Sequence, residues 1–245
     1  MAKKIYLSPS DQGKNTYAAG NTNEEVQCEK ISNALEQALL RCGFEVKNAL
    51  TGSMQERVAE SNAWNADLHI PIHTNAHNAS VTGTRLFCYN LTGEGYKACT
   101  AVFKYLAPLT PGTSENISAR PELYEVRVSS APCVYIEVDF HDVPNIALWL
   151  IQNTEAIAEA ICKGVCEYFG AEYVAPVGTD SGNGSETYIG EGADWSAESR
   201  KWAVDNGIIR GKGYGADGKP DFAWGDTVTR EEMAVMLDRL AQAIG

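Results

Sequence analysis

The chain has 245 residues, long for one compact domain and short for two large ones, so a domain of roughly 170 residues plus a small module is the natural division. Hydrophobic residues make up 44% of it, enough for a real core, which excludes disorder over most of its length. The 20 Lys and Arg against 32 Asp and Glu give a net charge of −12, with an acidic excess on both sides of residue 170. Neither part offers the basic face that binding to nucleic acid requires.

Taken in chain order, residues 3–9 read as a strand. From residue 22 an amphipathic helix follows, with Ile31, Ala34, Leu35, Ala38 and Leu39 at i, i+3, i+4, i+7, i+8 spacing, and it stops at Gly43. Residues 44–49 form a second expected strand, 53–64 a helix, 67–74 a third strand, 83–89 a fourth and 95–107 a helix. Strands near 124–128 and 133–140 come next, then one long closing helix through Phe169. Alternating elements predict an α/β fold, a largely parallel twisted sheet flanked by helices, with its functional crevice outside the carboxyl ends of the strands.

Residues 175–185 (Ala-Pro-Val-Gly-Thr-Asp-Ser-Gly-Asn-Gly-Ser) have the composition of a linker. The predicted organisation is a catalytic-sized domain over 1–170, a flexible linker over 171–187 and a small helical module over 188–245. The module has helical patterns at 196–206 and 230–243.

Seven cysteines, an odd number, include no CxxC pair, which excludes a zinc ribbon or a thioredoxin motif. Cys162 and Cys166, four apart in a helical pattern, read as small core-facing residues rather than ligands. The N-terminus has no apolar stretch of signal-peptide length and no 18-residue apolar run occurs, so the expectation is synthesis in a reducing cytoplasm with free thiols and no membrane span.

Four histidines are present: His69, His73, His77 and His141. On a strand, His69 and His73 share a face but lie about 13 Å apart at roughly 3.3 Å per residue. One zinc could not take both, given a Zn–N distance of about 2.0–2.1 Å. His73, at the strand's carboxyl end, is the candidate ligand, and His69 reads as a hydrogen-bonded core residue. Pro71 is awkward in a central strand. Glu137 interrupts an apolar run, where a buried carboxylate is costly unless paired, metal-bound or protonated. With Asp139 and His141 it alternates onto one face, either a solvated polar face or the acidic wall of an active site. Glu24 and Glu25, at the front of the first helix, suit the macrodipole there.

Four segments resemble, in order, the zinc-dependent N-acetylmuramoyl-L-alanine amidases of the third family. Ile5-Tyr6-Leu7-Ser8-Pro9 is similar to the opening strand and Gly20-Asn21-Thr22-Asn23-Glu24-Glu25 to the glycine-then-glutamate helix start. The segment from Asp67 through His73-Thr74-Asn75-Ala76 resembles the strand ending in His-Ala-Asn-Ala. Ala131-Pro132-Cys133-Val134-Tyr135-Ile136-Glu137-Val138-Asp139-Phe140 resembles the closing strand with the catalytic glutamate. The resemblance implies cleavage of the amide between N-acetylmuramic acid and L-alanine in peptidoglycan. Zn²⁺ would be held by His73 and by Glu25, with Glu24 the less favoured register, and Glu137 would serve as general base and acid. It also implies substrate contacts from Asn75 and Arg127. The family's histidine after the first strand is missing here, where the turn reads Ser10-Asp11-Gln12-Gly13-Lys14-Asn15. Counting from Leu7 places Asp11 there, and a later register would place Lys14. Asp11 would make a harder, weaker zinc site than His₂Glu. Alternatively His141 is recruited, or no metal binds.

The segments from Asp194 to Gly211 and from Val228 to Leu237 resemble a single surface-layer-homology repeat. That resemblance implies binding to an anionic cell-wall polymer through Thr229, Arg230 and Glu231; a capping box between Thr229 and Glu232 would explain part of the same pattern. A single repeat, where three are usual, either binds weakly or assembles with copies from other chains. The combined expectation is a phage or prophage endolysin acting at the bacterial wall after release. The alternative is a non-catalytic wall-binding protein on an amidase scaffold without its metal.

Overall fold

A computed structural model of the chain describes residues 2–176, 197–206, 208–209, 213–214, 220–222 and 229–244. It divides into two compact units, Met1–Gly178 and Thr179–Gly245.

The first unit is built on six strands, β1 (Lys4–Pro9), β2 (Glu45–Asn48), β3 (Leu68–Asn75), β4 (Arg85–Cys88), β5 (Asn116–Ala119) and β6 (Tyr135–Phe140), in the order β2-β1-β3-β6-β4-β5. The pairs β1–β2, β1–β3, β3–β6 and β4–β5 are parallel, and β4 runs antiparallel to β6. The fold is therefore the expected α/β sheet with one reversed pair. The central strands β1 and β3 are buried almost end to end, which is why they read as near-continuous apolar runs.

Pro71 is accommodated in the middle of β3 by a gap in the ladder. The N–H and C=O of His69 both point at the β6 side, to Pro132 O and Val134 N. Two residues on, Pro71 faces the same way, between the His69↔Cys133 bridge and the first regular pair Ile72↔Ile136. The ladder to β6 lacks a bond at Pro71, which has no N–H to give, and resumes at Ile72.

Helices α1 (Glu24–Arg41), α3 (Glu94–Leu106) and α6 (Thr154–Phe169) pack together, with α6 against both of the others; α2 (Met54–Trp64) and α4 (Tyr124–Val128) contact each other elsewhere. Asn23 caps α1 by accepting from the N–H of Val26, and Ser53 and Glu56 form a reciprocal capping box at α2. The core is made by Ile5, Leu7, Ile31, Leu35, Ile70, Ile72, Ile136, Ile157 and Ile161, with the cysteines among them buried as small hydrophobes.

Three sequence expectations differ from the fold. Residues 124–128 form the short helix α4 and not a strand. Five residues of alternating polarity do not distinguish the two periods; here the 123-to-120 turn and the buried hydrogen bonds of Glu125 decide for a helix. The strand β5 was not expected, because its short segment is half-exposed at the sheet's edge. The closing helix is two, α5 (Pro144–Gln152) and α6, broken at Asn153.

In the second unit the described elements are α7 (Ala197–Asp205), the antiparallel pair β7 (Gly213–Tyr214) and β8 (Pro220–Asp221), and α8 (Arg230–Ile244). Residues 177–187 of the expected linker lie outside the described residues. No helix among the described residues is long and apolar enough to cross a membrane.

Candidate active site

His73 near the carboxyl end of β3 and Glu137 on β6 are register partners, so their side chains stand side by side on one face of adjacent strands. Glu24, the first residue of α1, reaches them from the helix N-terminus, and its Oε1 lies 2.8 Å from His73 Nδ1. The turn after β1 closes a ring around this pair. Asn15 Nδ2 donates to Glu24 Oε2 at 2.7 Å and to Gln12 Oε1 at 2.8 Å, and Gln12 Nε2 lies 3.3 Å from His73 Nδ1. The imidazole of His73 stacks on Tyr135, ring centroids 4.7 Å apart. A cavity of about 370 Å³ opens beside His73, lined also by Ser10, Asp11, Gln12, Arg57 and Tyr135.

The electrostatics of this group follow from burial and pairing. Burial opposes ionisation of Glu24, but hydrogen bonds from His73, Asn15 and Ser10 hold its carboxyl below the ordinary value. Burial likewise works against charge on His73, and the hydrogen bond to Glu24 with the nearby charge of Glu137 outweighs it, raising the imidazole above its ordinary value. Glu137 has the opposite fate. Its Oε2 is sealed from solvent with no hydrogen-bond partner, and burial pushes its carboxyl up to about 7 despite the charge of His73.

Glu24 and not Glu25 meets His73. Glu25 is exposed, directed at the turn glycine Gly13. Asp11 is exposed at the cavity rim, and no side-chain hydrogen bond links it to His73. His141 is turned away, its Nδ1 bonded to Thr74 Oγ1 at 2.9 Å and its ring stacked on Tyr17. His69 is fully buried between Ser61 Oγ (3.0 Å) and Glu125 Oε1 (3.2 Å), and Glu125 also accepts from Ser8 Oγ. Asp139 accepts backbone N–H bonds from Gly83, Gly112 and Phe140, which makes it a loop anchor. Asn75 is half-buried at the end of β3, and its Oδ1 accepts from the N–H of Ala76. Arg127 is exposed on α4 and lines a different cavity with Tyr89, Asn90 and Ala131.

Sequence reasoning missed Gln12, Asn15 and Tyr135. Gln12 and Asn15 lie in the turn where the family carries a histidine, and amides there carried no expectation of their own.

The resemblance implies a zinc centre, and the donor set falls short of one. A catalytic zinc takes three protein ligands, and Glu24 with His73 supplies two. The flanking position is filled by the Gln12 amide, whose oxygen is already engaged by Asn15. Among the described residues, the His, Cys, Asp and Glu side chains whose donor atoms converge in a group of three or more are Cys42, Cys162 and Cys166, away from this site. The residues present therefore do not fit a three-ligand zinc centre.

In the second unit Thr229 and Glu232 form a capping box at the start of α8, each backbone N–H bonded to the other's side chain. The side chains of Arg230 and Glu231 lie outside the described residues.

Comparison with solved structures shows where this fold occurs. The catalytic domain of the N-acetylmuramoyl-L-alanine amidase CwlV from Bacillus (Paenibacillus) polymyxa var. colistinus superposes with a TM-score of 0.63 at 17% identity, covering 69% of this chain and 99% of that one. The amidase AmiC2 of Nostoc punctiforme gives 0.60 at 19% identity, covering 69% and 97%. The catalytic domain of the CD27L endolysin targeting Clostridia difficile gives 0.55 at 22% identity, covering 67% and 97%. None of the curated proteins compared matches by sequence. The sequence model of the N-acetylmuramoyl-L-alanine amidase family matches residues 5–167, which hold Glu24, His73 and Glu137 in the arrangement above, and the chain belongs to that family.

Proposed function

We propose that the first unit hydrolyses the amide between N-acetylmuramic acid and L-alanine in peptidoglycan, with Glu137 as general base and acid. The observation that carries this reading is the sealed, unpartnered Oε2 of Glu137 beside the imidazole of His73. A fold gains no stability from such a group, and it suits proton transfer near neutral pH. Members of the family are generally zinc-dependent, but with two donors in place the chemistry rests on the side chains alone.

Glu137 removes a proton from water, and the hydroxide adds to the carbonyl carbon of the lactyl amide. The His73 imidazolium, held charged and oriented by Glu24, donates a hydrogen bond to the developing oxyanion. Glu137 then returns the proton to the alanine nitrogen, the C–N bond breaks, and a carboxylic acid and an amine result. General base catalysis contributes about 10²–10⁴ and one oxyanion donor about 10²–10³, together about 10⁴–10⁷. That is the low end of enzymic acceleration, so this is a slow amidase.

A second reading, a wall-binding protein without catalysis, is favoured by the turn after β1, where an amide from Gln12 and no histidine lies against His73. Muropeptide release from purified walls by the wild type and by Glu137→Ala, each with zinc and with a chelator, tests both. Release lost in the variant and insensitive to chelator supports the amidase reading, and equal absence of release in both proteins supports the binder.

The setting follows the sequence resemblance. An endolysin that reaches the wall after release, with residues 188–245 binding an anionic wall polymer through Thr229, Arg230 and Glu231, accounts for the two units. The net charge of −12 opposes attraction to such a polymer, so targeting there is by specific contact.

A further inference from the structure

Outside the candidate active site, three thiols from two distant stretches of chain converge. Cys42 is the C-cap residue of α1, and Cys162 and Cys166 lie one turn apart on α6, facing α1. Cys42 Sγ is 3.6 Å from Cys162 Sγ, and the three sulfurs all lie within 4.8 Å of one another. We propose that Cys42, Cys162 and Cys166 form a three-thiolate site for a thiophilic d¹⁰ cation, zinc(II) or copper(I), that ties the last helix of the first unit to α1.

The argument is geometric. At a Zn–S distance of about 2.3 Å, tetrahedral ligation sets sulfurs about 3.8 Å apart. One separation is 3.6 Å and none exceeds 4.8 Å, so closing the site needs shifts of about an ångström or less. Two sulfurs at i, i+4 on one helix present a ready pair, and the third comes from a capped helix end fixed by bonds from the Cys42 N–H to Ala38 O and Leu39 O. Soft thiolates select these ions over magnesium or calcium.

The surroundings supply one backbone donor to the site and leave a way in. The N–H of Val174 donates to Cys42 Sγ at 3.3 Å, the kind of bond that stabilises a coordinated thiolate. Arg41 Nε donates to Val174 O at 2.8 Å, and its guanidinium pairs with Glu159, so the backbone at Val174 is held at the site's rim. Cys162 and Cys166 are buried and Cys42 is half-buried, so the ion would enter past Cys42. This inference is independent of the amidase reading.

The test uses the full chain, reduced and metal-free under anaerobic conditions. It is titrated with Cd²⁺ as a zinc probe and separately with Cu⁺, read by sulfur-to-metal charge-transfer absorption and by proton release. One ion per chain is expected, with protons released on binding, Zn²⁺ displacing Cd²⁺, and binding weakened at least about tenfold by Cys42→Ser. Cys88→Ser and His73→Ala should leave the band unchanged. A band that survives Cys42→Ser, or that falls equally with Cys88→Ser, overturns the proposal. So does a wild-type chain that takes up neither ion while reduced and forms a Cys42–Cys162 disulfide in air. Should the serine variants unfold, protection of Cys42 from alkylation by Zn²⁺ in the wild type supports the site, and unprotected alkylation overturns it.

Discussion

Gln12 stands against His73 with its amide nitrogen 3.3 Å from Nδ1. Gln12→His would replace an amide engaged by Asn15 with a third strong donor beside Glu24 and His73. The expected outcome is tight zinc binding at this site and amide hydrolysis that becomes faster and chelator-sensitive. Metal analysis on a Cys42→Ser background keeps that ion separate from any held by the thiols, and an unchanged zinc content would refute the two-donor account.

Removing the carboxylate of Glu137 should cost activity and spare the fold. Glu137→Gln should lower muropeptide release by about 10²–10⁴. Its Tm should match or exceed the wild type, since a half-buried carboxylate with one sealed, unpartnered oxygen is replaced by a neutral amide. A large fall in Tm would mark Glu137 as structural.

Stability and activity should move in opposite directions with pH. Burial raises the Glu137 carboxyl from 4.5 to about 7, so the folded chain holds an extra proton between those values. Its contribution therefore makes the fold less stable as pH rises through that window. Activity needs the carboxylate and should rise across the same window, then fall at higher pH as the raised His73 loses its proton. Denaturant titrations of the wild type and Glu137→Gln between pH 5 and 8, alongside a pH–rate profile, check both limbs.

Asp139 should behave as an anchor. Asp139→Ala strips acceptors from the N–H groups of Gly83, Gly112 and Phe140, and each buried orphan costs about 1–3 kcal/mol. A loss of about 2–4 kcal/mol after relaxation is expected by chemical denaturation, and a loss under 1 kcal/mol would show that these loops find other partners.

Deleting residues 179–245 should abolish sedimentation with cell walls while sparing cleavage of soluble muropeptide. Sedimentation unchanged by the deletion would remove the targeting role from the second unit.

Much of this site was legible in the sequence. His73 stood at the end of a buried strand and Glu137 broke an apolar run, and both patterns survive in the fold. The choice between Glu24 and Glu25 was also available in the helix period. Glu24, Gln27, Cys28, Ile31 and Leu35 make up one buried face of α1, and Glu25 lies off it. The ring through Gln12 and Asn15 was not legible, because it closes between side chains of a turn, a helix start and a strand that only the fold brings together. The same is true of Cys42, which is 120 residues from Cys162.

Gly164 sits midway between Cys162 and Cys166 on α6, and a Cβ there would meet Val102 Cα at 2.4 Å and Ala101 O at 2.8 Å on α3. The helix is therefore seated by a backbone-on-backbone contact on the flank away from its thiols. A side chain there would have to push α6 away from α3, carrying Cys162 and Cys166 with it relative to Cys42. A single methyl group at position 164 would retune a metal site that it never touches.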